Sequence, residues 1–258
     1  MAMFKESILL IWRSHLIALG GLLVALVAIS AFCAGLFSGR QPATVALDVG
    51  ISTLRLFTPL LLFLLVHEVM SREFSRKYYL RTFAMPINRA NILFGKFFAV
   101  FLYMVFLVVL GAALLGGMAY FVSLGYQQAT AISMSGFAIF IAFFLLDVFV
   151  ILSVSVFVSM ITSSTGFLFF TIIGFSIVSR TYYSVIQLLA DGAPLESGIS
   201  MLKWLVPDLG SLDIRGVALY GKIEFLPDQW ALLIAGTLGY AVLFLAFAVM
   251  ALQNKRFS

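Results

Sequence analysis

The sequence predicts an all-α integral membrane protein: six transmembrane helices, an N-terminal amphipathic interfacial helix, a cytoplasmic helix between spans 2 and 3, and a short helical external loop between spans 5 and 6. Three observations carry that prediction. Hydrophobic residues make up 63% of the 258 and charged residues 10%, where a soluble domain carries about 25% charged residues, and the mean hydropathy is +1.12. Six apolar runs are each long enough to cross a hydrocarbon core of about 30 Å. Basic residues gather beside alternate ends of these runs, as the positive-inside rule requires of a cytoplasmic face.

Ahead of the first run, Phe4, Ile8, Ile11 and Trp12 recur at helical spacing while Lys5, Ser7 and Arg13 take the other side. That is the pattern of a helix lying in the inner-leaflet interface; the alternative is that it merely extends the first span. The first span, Leu16 to Phe37, is longer than the roughly 7 to 15 apolar residues of a signal peptide, so it reads as a retained helix. Phe32 before Cys33 argues against a lipoprotein cleavage site. The other spans are Gly50 to Met70, Asn91 to Val122, Gly136 to Ile161, Gly166 to Ala190 and Gln229 to Leu252.

An even number of spans puts both termini on one side. Of the 16 Lys and Arg, ten (Lys5, Arg13, Arg72, Arg76, Lys77, Arg81, Arg89, Lys96, Lys255 and Arg256) fall on that side. Five (Arg40, Arg55, Lys203, Arg215 and Lys222) fall outside and Arg180 within a span, while Asp48, Asp191, Glu196, Asp208, Asp213, Glu224 and Asp228 collect in the outer loops. Both termini are therefore expected in the cytoplasm. Residues 1–258 read as one transmembrane domain, with 1–15 the interfacial helix, 71–90 the cytoplasmic loop and 191–228 the extracytoplasmic loop. In that last loop Met201, Leu202, Leu205, Val206 and Leu209 form an apolar stripe beside Trp204. Pro207 should end the helix near Val206, which predicts a short helix on, or dipping into, the outer leaflet.

Several function classes drop out. The net charge of +5 sits in short segments flanking apolar runs, and no nucleic-acid recognition module is recognisable, so no nucleic-acid partner is expected. A single cysteine, Cys33, allows neither an intrachain disulfide nor a thiolate metal cluster. The nearest string to a phosphate-binding loop ends in Gly95 and Lys96 but has Ala90 for its first glycine and Phe97 for its hydroxyl; ATP and magnesium are expected on a partner, and the chain is not expected to be an enzyme. His15 and His67 lie near the ends of different spans and suit interfacial anchoring better than metal binding.

The segment from Glu73 to Lys96 packs a dense cationic stretch between two apolar helices. Glu73 is followed four residues on by Lys77 and Tyr78; Pro86 and Arg89 form Pro-x-x-Arg; Gly95 and Lys96 open the next span. This resembles the loop between spans 2 and 3 of ABC-2-type transporter permeases, with Lys77 and Tyr78 standing where the family usually has Gly-Thr. Trp204 to Arg215 is similar to the external loop of some members. The resemblance implies a cytoplasmic coupling helix that docks on a separate ATP-binding subunit, through Glu73, Phe74, Lys77, Tyr78, Arg81, Pro86 and Arg89. Phe74, Tyr78 and Arg81 share a helical face of the type enriched at interface hot spots. Pro86 would stop that helix and Asn88 could cap the next. The competing reading is a solvated basic loop held to anionic headgroups.

Asp147 is the acid deepest within a span and needs a partner; counting along the helices puts Arg180 at a reachable depth. An interhelical Asp147–Arg180 pair is expected, the alternative being a substrate or proton site. Ser153, Ser155 and Ser159 in span 4, and Gly111, Gly116 and Gly117 in span 3, read as packing positions, and the 27 phenylalanines as lipid-facing surface more than a substrate path. The resemblance implies the permease of a bacterial or archaeal inner-membrane ABC transporter, working as a homodimer or related heterodimer among lipids and exporting a hydrophobic or amphiphilic substrate. Alternatives are mechanotransmission to an extracytoplasmic protein, and an ATP-independent channel or secondary transporter, for which polar groups at several depths would be needed.

Overall fold

The computed structural model describes residues 2–39, 41–72, 88–125, 134–162, 164–190 and 205–254, and among these there is no strand. Helix α1 spans Ala2–Arg13, α2 Leu16–Phe37 and α3 Pro42–Val66, the last continued without a break by a π-helical turn, His67–Ser71. Then come α4 (Arg89–Gly125), α5 (Met134–Ile161), α6 (Thr165–Ala190), the short α7 (Arg215–Tyr220), a 3₁₀ turn (Ile223–Phe225) and α8 (Trp230–Asn254). Helices α2 to α6 and α8 are long and apolar enough to cross a membrane.

Local chemistry sets the ends of these elements. Between α1 and α2 the Ser14 hydroxyl donates to the Ile11 carbonyl at 2.9 Å and accepts from the Leu16 amide at 3.3 Å, so one side chain closes one helix and opens the next. Pro42 occupies the first turn of α3, where its missing N–H is no loss. Asn88 precedes α4 and accepts from the Ala90 amide at 3.3 Å. Gly221, at φ 64°, terminates α7 in the left-handed conformation that glycine adopts most readily.

Helices α3 and α5 form the centre of the bundle, with α4 against both and α2, α6 and α8 outside them. Leu47, Ile51, Leu54, Leu62 and Leu65 of α3 are fully buried with Val148, Ile151, Leu152 and Val156 of α5. Phe97 and Phe101 of α4 meet Phe149 of α5 edge to face, with ring centroids 5.3 and 5.1 Å apart. Buried Ser153, Ser155 and Ser159 each return a hydrogen bond to their own helix, which removes the cost of burying a hydroxyl. A β-carbon added at Gly111 or Gly116 would stand 3.5 Å from Leu54 or Phe137 respectively, an ordinary contact, whereas Gly117 faces open space and marks no close approach. Helix α1 packs along α4, burying Ser7 and Ile11 and leaving Trp12 73% exposed.

One element differs from the sequence reading. The second span starts at Pro42, eight residues before Gly50, because Asp48 and Arg55 do not end the helix but find partners across the bundle. Arg55, counted above among outer-loop residues, is consequently a buried residue in the middle of α3. The short helix expected to end near Pro207 falls mostly outside the described residues; Leu205 and Val206 form a turn and bend, the chain stays irregular to Ile214, and a further short helix follows at Arg215–Tyr220.

Candidate functional site

The bundle has two ends: one carries α1 and the C-terminus of α8, the other carries α7. Between them, near mid-length of α3, α5 and α6, ionisable side chains converge. Asp147 sits halfway along α5 with its side chain 1% exposed. Arg180 of α6 donates to it through Nη2 at 2.8 Å, and Arg55 of α3 brings its Nε to 3.5 Å from the same oxygen. The residues that sequence reasoning pairs, Asp147 and Arg180, are thus in contact, but Asp147 serves two cations.

Backbone chemistry explains the second hydrogen bond of Arg180. Pro59, inside α3, has no N–H, so the carbonyl four residues before it lacks its helical donor. That carbonyl belongs to Arg55, and Arg180 Nη1 donates to it at 3.0 Å. A proline at membrane depth is tolerated where a neighbouring helix supplies the lost bond. Arg180 therefore holds α6 to α5 by charge and to α3 by a main-chain acceptor.

The irregular segment 205–214 descends into this cluster. The Leu209 amide donates to the Ser179 carbonyl at 3.1 Å, and the Leu209 carbonyl accepts from Arg55 Nη2 at 2.6 Å. Next along, Gly210 lies so near α6 that a β-carbon there would stand 2.7 Å from the Arg180 carbonyl; only glycine fits without displacement. Leu209, Leu212 and Ile214 are buried on the way down and back. Asp208 holds the turn by accepting from the Ser211 amide at 3.0 Å and from the Ser211 hydroxyl.

On the return the segment adds two further charges. Asp213 pairs with Arg55 and with Arg215, whose Nε donates to both of its oxygens at 3.1 and 3.0 Å. Arg215 also reaches back to α3, donating to Asp48 at 3.1 Å and to the Ser52 hydroxyl at 2.8 Å. Burial pushes the Asp213 carboxyl up, but the Arg215 hydrogen bond and the charges of Arg55 and Arg215 outweigh it and hold the group below its ordinary value. The hydrogen bond that Arg215 donates to Asp213 in turn raises Arg215 further above its ordinary value. Three carboxylates, Asp48, Asp147 and Asp213, so balance three guanidinium groups, Arg55, Arg180 and Arg215. Beside them lies a cavity of about 340 Å³ walled by Ser52, Arg55, Arg180, Ser184, Asp213 and Arg215.

Sequence reasoning missed Asp48, Arg55, Asp213 and Arg215 as members of this network. The signal was present: Arg55 lies inside an apolar run just as Arg180 does, and the rule that an ionisable residue within a span needs a partner applies equally to both.

At the opposite end, Glu73, Phe74, Lys77, Tyr78, Arg81 and Pro86, with the helix expected to carry them, lie outside the described residues. The flanks are described. Arg72 pairs with Glu68 one turn back, Lys96 is buried with its Nζ 3.5 Å from the Val69 carbonyl of the π-turn, and Arg89 donates to the Gln253 carbonyl at 3.3 Å. The described flanks therefore tie α3 to α4 and α4 to the last turn of α8. A cavity of about 600 Å³ at this end of the bundle is lined by Arg13, His15, His67, Glu68 and Arg72.

Six membrane-length helices around a buried charge network define a multi-pass membrane protein. The model of the ABC-2 family transporter protein matches residues 10–176, about two thirds of the chain and the whole stretch from α1 into α6. The chain belongs to the ABC-2 transporter family and is a membrane subunit of an ABC transporter, a class that works with an ATPase. Comparison with curated proteins finds no match.

Proposed function

We propose that this chain is the permease of an ABC exporter, driven by ATP hydrolysed on a separate subunit that docks against residues 73–86, and that two permease copies make the complete pore. The family match carries the reading, because it runs through the 73–96 segment. In that segment Glu73, Pro86, Arg89, Gly95 and Lys96 keep the pattern of a coupling loop. Supporting it, the end of the bundle with α1 bears Lys5, Arg13, Arg72, Arg89 and Lys96, and the α7 end bears Asp48, Asp208, Asp213, Glu224 and Asp228. This asymmetry supports a topology with both termini in the cytoplasm. ATP and magnesium belong to the partner, and this chain contributes no catalytic group. The substrate is hydrophobic or amphiphilic.

A specific observation favours mechanotransmission as a second reading. Segment 205–214 is bonded to α3 and α6 through Arg55, Ser179 and Arg215, so movement of those helices is passed to the loop on the far side. The test of the docking reading is co-purification. With Phe74 and Tyr78 both changed to Ala, the chain should still insert but lose its ATPase subunit; unchanged co-purification and ATPase activity overturns docking at this segment.

A further inference from the structure

We infer that the cavity between α3, α6 and the 205–215 segment is a binding site for a phosphate-type oxyanion, the head of an amphiphile presented from the outer half of the bilayer. The inference deepens the exporter reading and rests on it, since it names a substrate class and uses the same topology.

The network is neutral in sum, but its charges are sorted. All three guanidinium groups, Arg55, Arg180 and Arg215, line the cavity, and of the three carboxylates only Asp213 does. Asp147 lies beneath, almost wholly buried, and Asp48 lies to one side with its side chain 47% exposed. Both oxygens of Asp213 are already engaged by Arg215, and Arg55 pairs with it as well. A ligand in the cavity therefore faces cations whose counter-charges are turned away or spent.

The donors are also in surplus. A guanidinium carries five N–H groups, and among the described residues the buried Nε atoms of both Arg55 and Arg180 have no hydrogen-bond partner, although Asp147 Oδ1 beside them also lacks one and Arg55 Nε stands 3.5 Å from Asp147 Oδ2. Such unmet donors are costly in a desolvated site and are met by water or by an anion. The Ser52 hydroxyl accepts from Arg215, which leaves its own proton to donate, and Ser184 adds a second hydroxyl at the rim. Planar guanidinium forks beside hydroxyl donors suit phosphate or carboxylate oxygens, which they bind in paired hydrogen bonds.

Size and position select an amphiphile's head. A volume of about 340 Å³ is at the small end of ligand sites and holds a headgroup but no acyl chain. Its rim includes Leu56, 68% exposed, and the outward face of α6 continues with Val185 and Leu188, 50% and 76% exposed. A hydrocarbon tail attached to the bound head can lie along that apolar face. Irregular backbone at membrane depth is found where it is buried in protein or lines a water-filled cavity; segment 205–214 is buried at Leu209, Leu212 and Ile214 and lines the cavity through Gly210 and Asp213.

The test uses the full chain, purified with its ATPase subunit in a neutral maltoside detergent, and measures binding of monododecyl phosphate by calorimetry. Two variants separate site from surface: Ser184→Trp fills the cavity from an exposed helical position, and Val185→Trp places the same bulk one residue away, outside it. We expect Ser184→Trp to weaken binding about tenfold or more and Val185→Trp to leave it within about twofold. Competition by millimolar inorganic phosphate would support the site as one for the oxyanion alone; a Ser184→Trp-sensitive site that inorganic phosphate does not contest would support the lipid-borne form. No binding, or equal binding by the two variants, overturns the inference. Retention of the ATPase subunit in the same preparation keeps this failure distinct from failure of the exporter reading.

Discussion

Arg180 hydrogen-bonds the main-chain carbonyl of Arg55 at 3.0 Å, and that carbonyl is free because Pro59 has no N–H to give it. A sequence feature that ought to weaken α3 is thus the reason α6 can attach to it. The relation is testable through the proline. Pro59→Ala restores the helical donor, so Arg180→Gln should cost about 1 kcal/mol less in the Pro59→Ala background than in the native chain. Equal cost in both backgrounds, measured by denaturant unfolding in detergent, would show that Arg180 does not serve this carbonyl.

Asp147 stands between two arginines, and removing its charge strands Arg180, while Arg55 loses one of its two carboxylates. Asp147→Asn should destabilise the bundle by about 3–5 kcal/mol, the usual cost of leaving a buried charge unpaired. The Asp147→Asn, Arg180→Gln double variant should be the milder, because Arg55 keeps Asp213. Additive losses in a double-mutant cycle would contradict the shared pairing.

The irregular segment depends on close backbone approach at two glycines. A methyl group on Gly210 would stand 2.7 Å from the Arg180 carbonyl, and one on Gly136, at the start of α5, 2.5 Å from the Val217 carbonyl of α7. Neither neighbour is a flexible side chain that can swing aside. Gly210→Ala and Gly136→Ala should each cost about 1–3 kcal/mol and raise protease cleavage between α6 and α8. A neutral substitution at Gly117, which faces open space, is the matched control.

Asp213 makes stability at the α7 end depend on pH. Its folded carboxyl is held below its ordinary value near 3.8, so the unfolded chain takes up the proton first as pH falls. The stabilisation is therefore complete above about pH 4 and is lost as pH drops through the folded value. Thermal unfolding of the native chain and of Asp213→Asn should differ at pH 7, and the gap should narrow below about pH 4. A gap independent of pH would mean that the Asp213 charge contributes nothing.

Much of the fold was legible because membrane insertion is a length and composition problem. Apolar runs of bilayer length gave six helices, and Asp147 with Arg180 stood out as charges inside such runs. The misplacement of Arg55 has a definite cause: it sits near the outer end of the Gly50–Met70 run and counts there with the outer-loop charges, whereas α3 begins at Pro42 and continues through Asp48 and Arg55 because Asp213, Asp147 and Arg215 wait for them on other elements. Those partners come from α5 and from a segment more than 150 residues away, and no local pattern carries such a pairing. The return of 205–214 into the bundle was hidden for the same reason, since the hydrogen bonds that anchor it there run to α3 and α6. Hydropathy read Leu205 and Leu209 as one stripe, but the former is 69% exposed and the latter fully buried.

The Arg55 contact with the Leu209 carbonyl, 154 residues further along the chain, has a consequence for biosynthesis. A ribosome adding about 5–20 residues per second makes Leu209 roughly 8–30 s after Arg55. For that interval the nascent second span holds a guanidinium whose set of permanent ligands is incomplete, and the insertion machinery or lipid headgroups must shelter it. Release of this helix into the bilayer is thereby tied to synthesis of the stretch beyond α6, and chains truncated before that stretch should linger at the translocon.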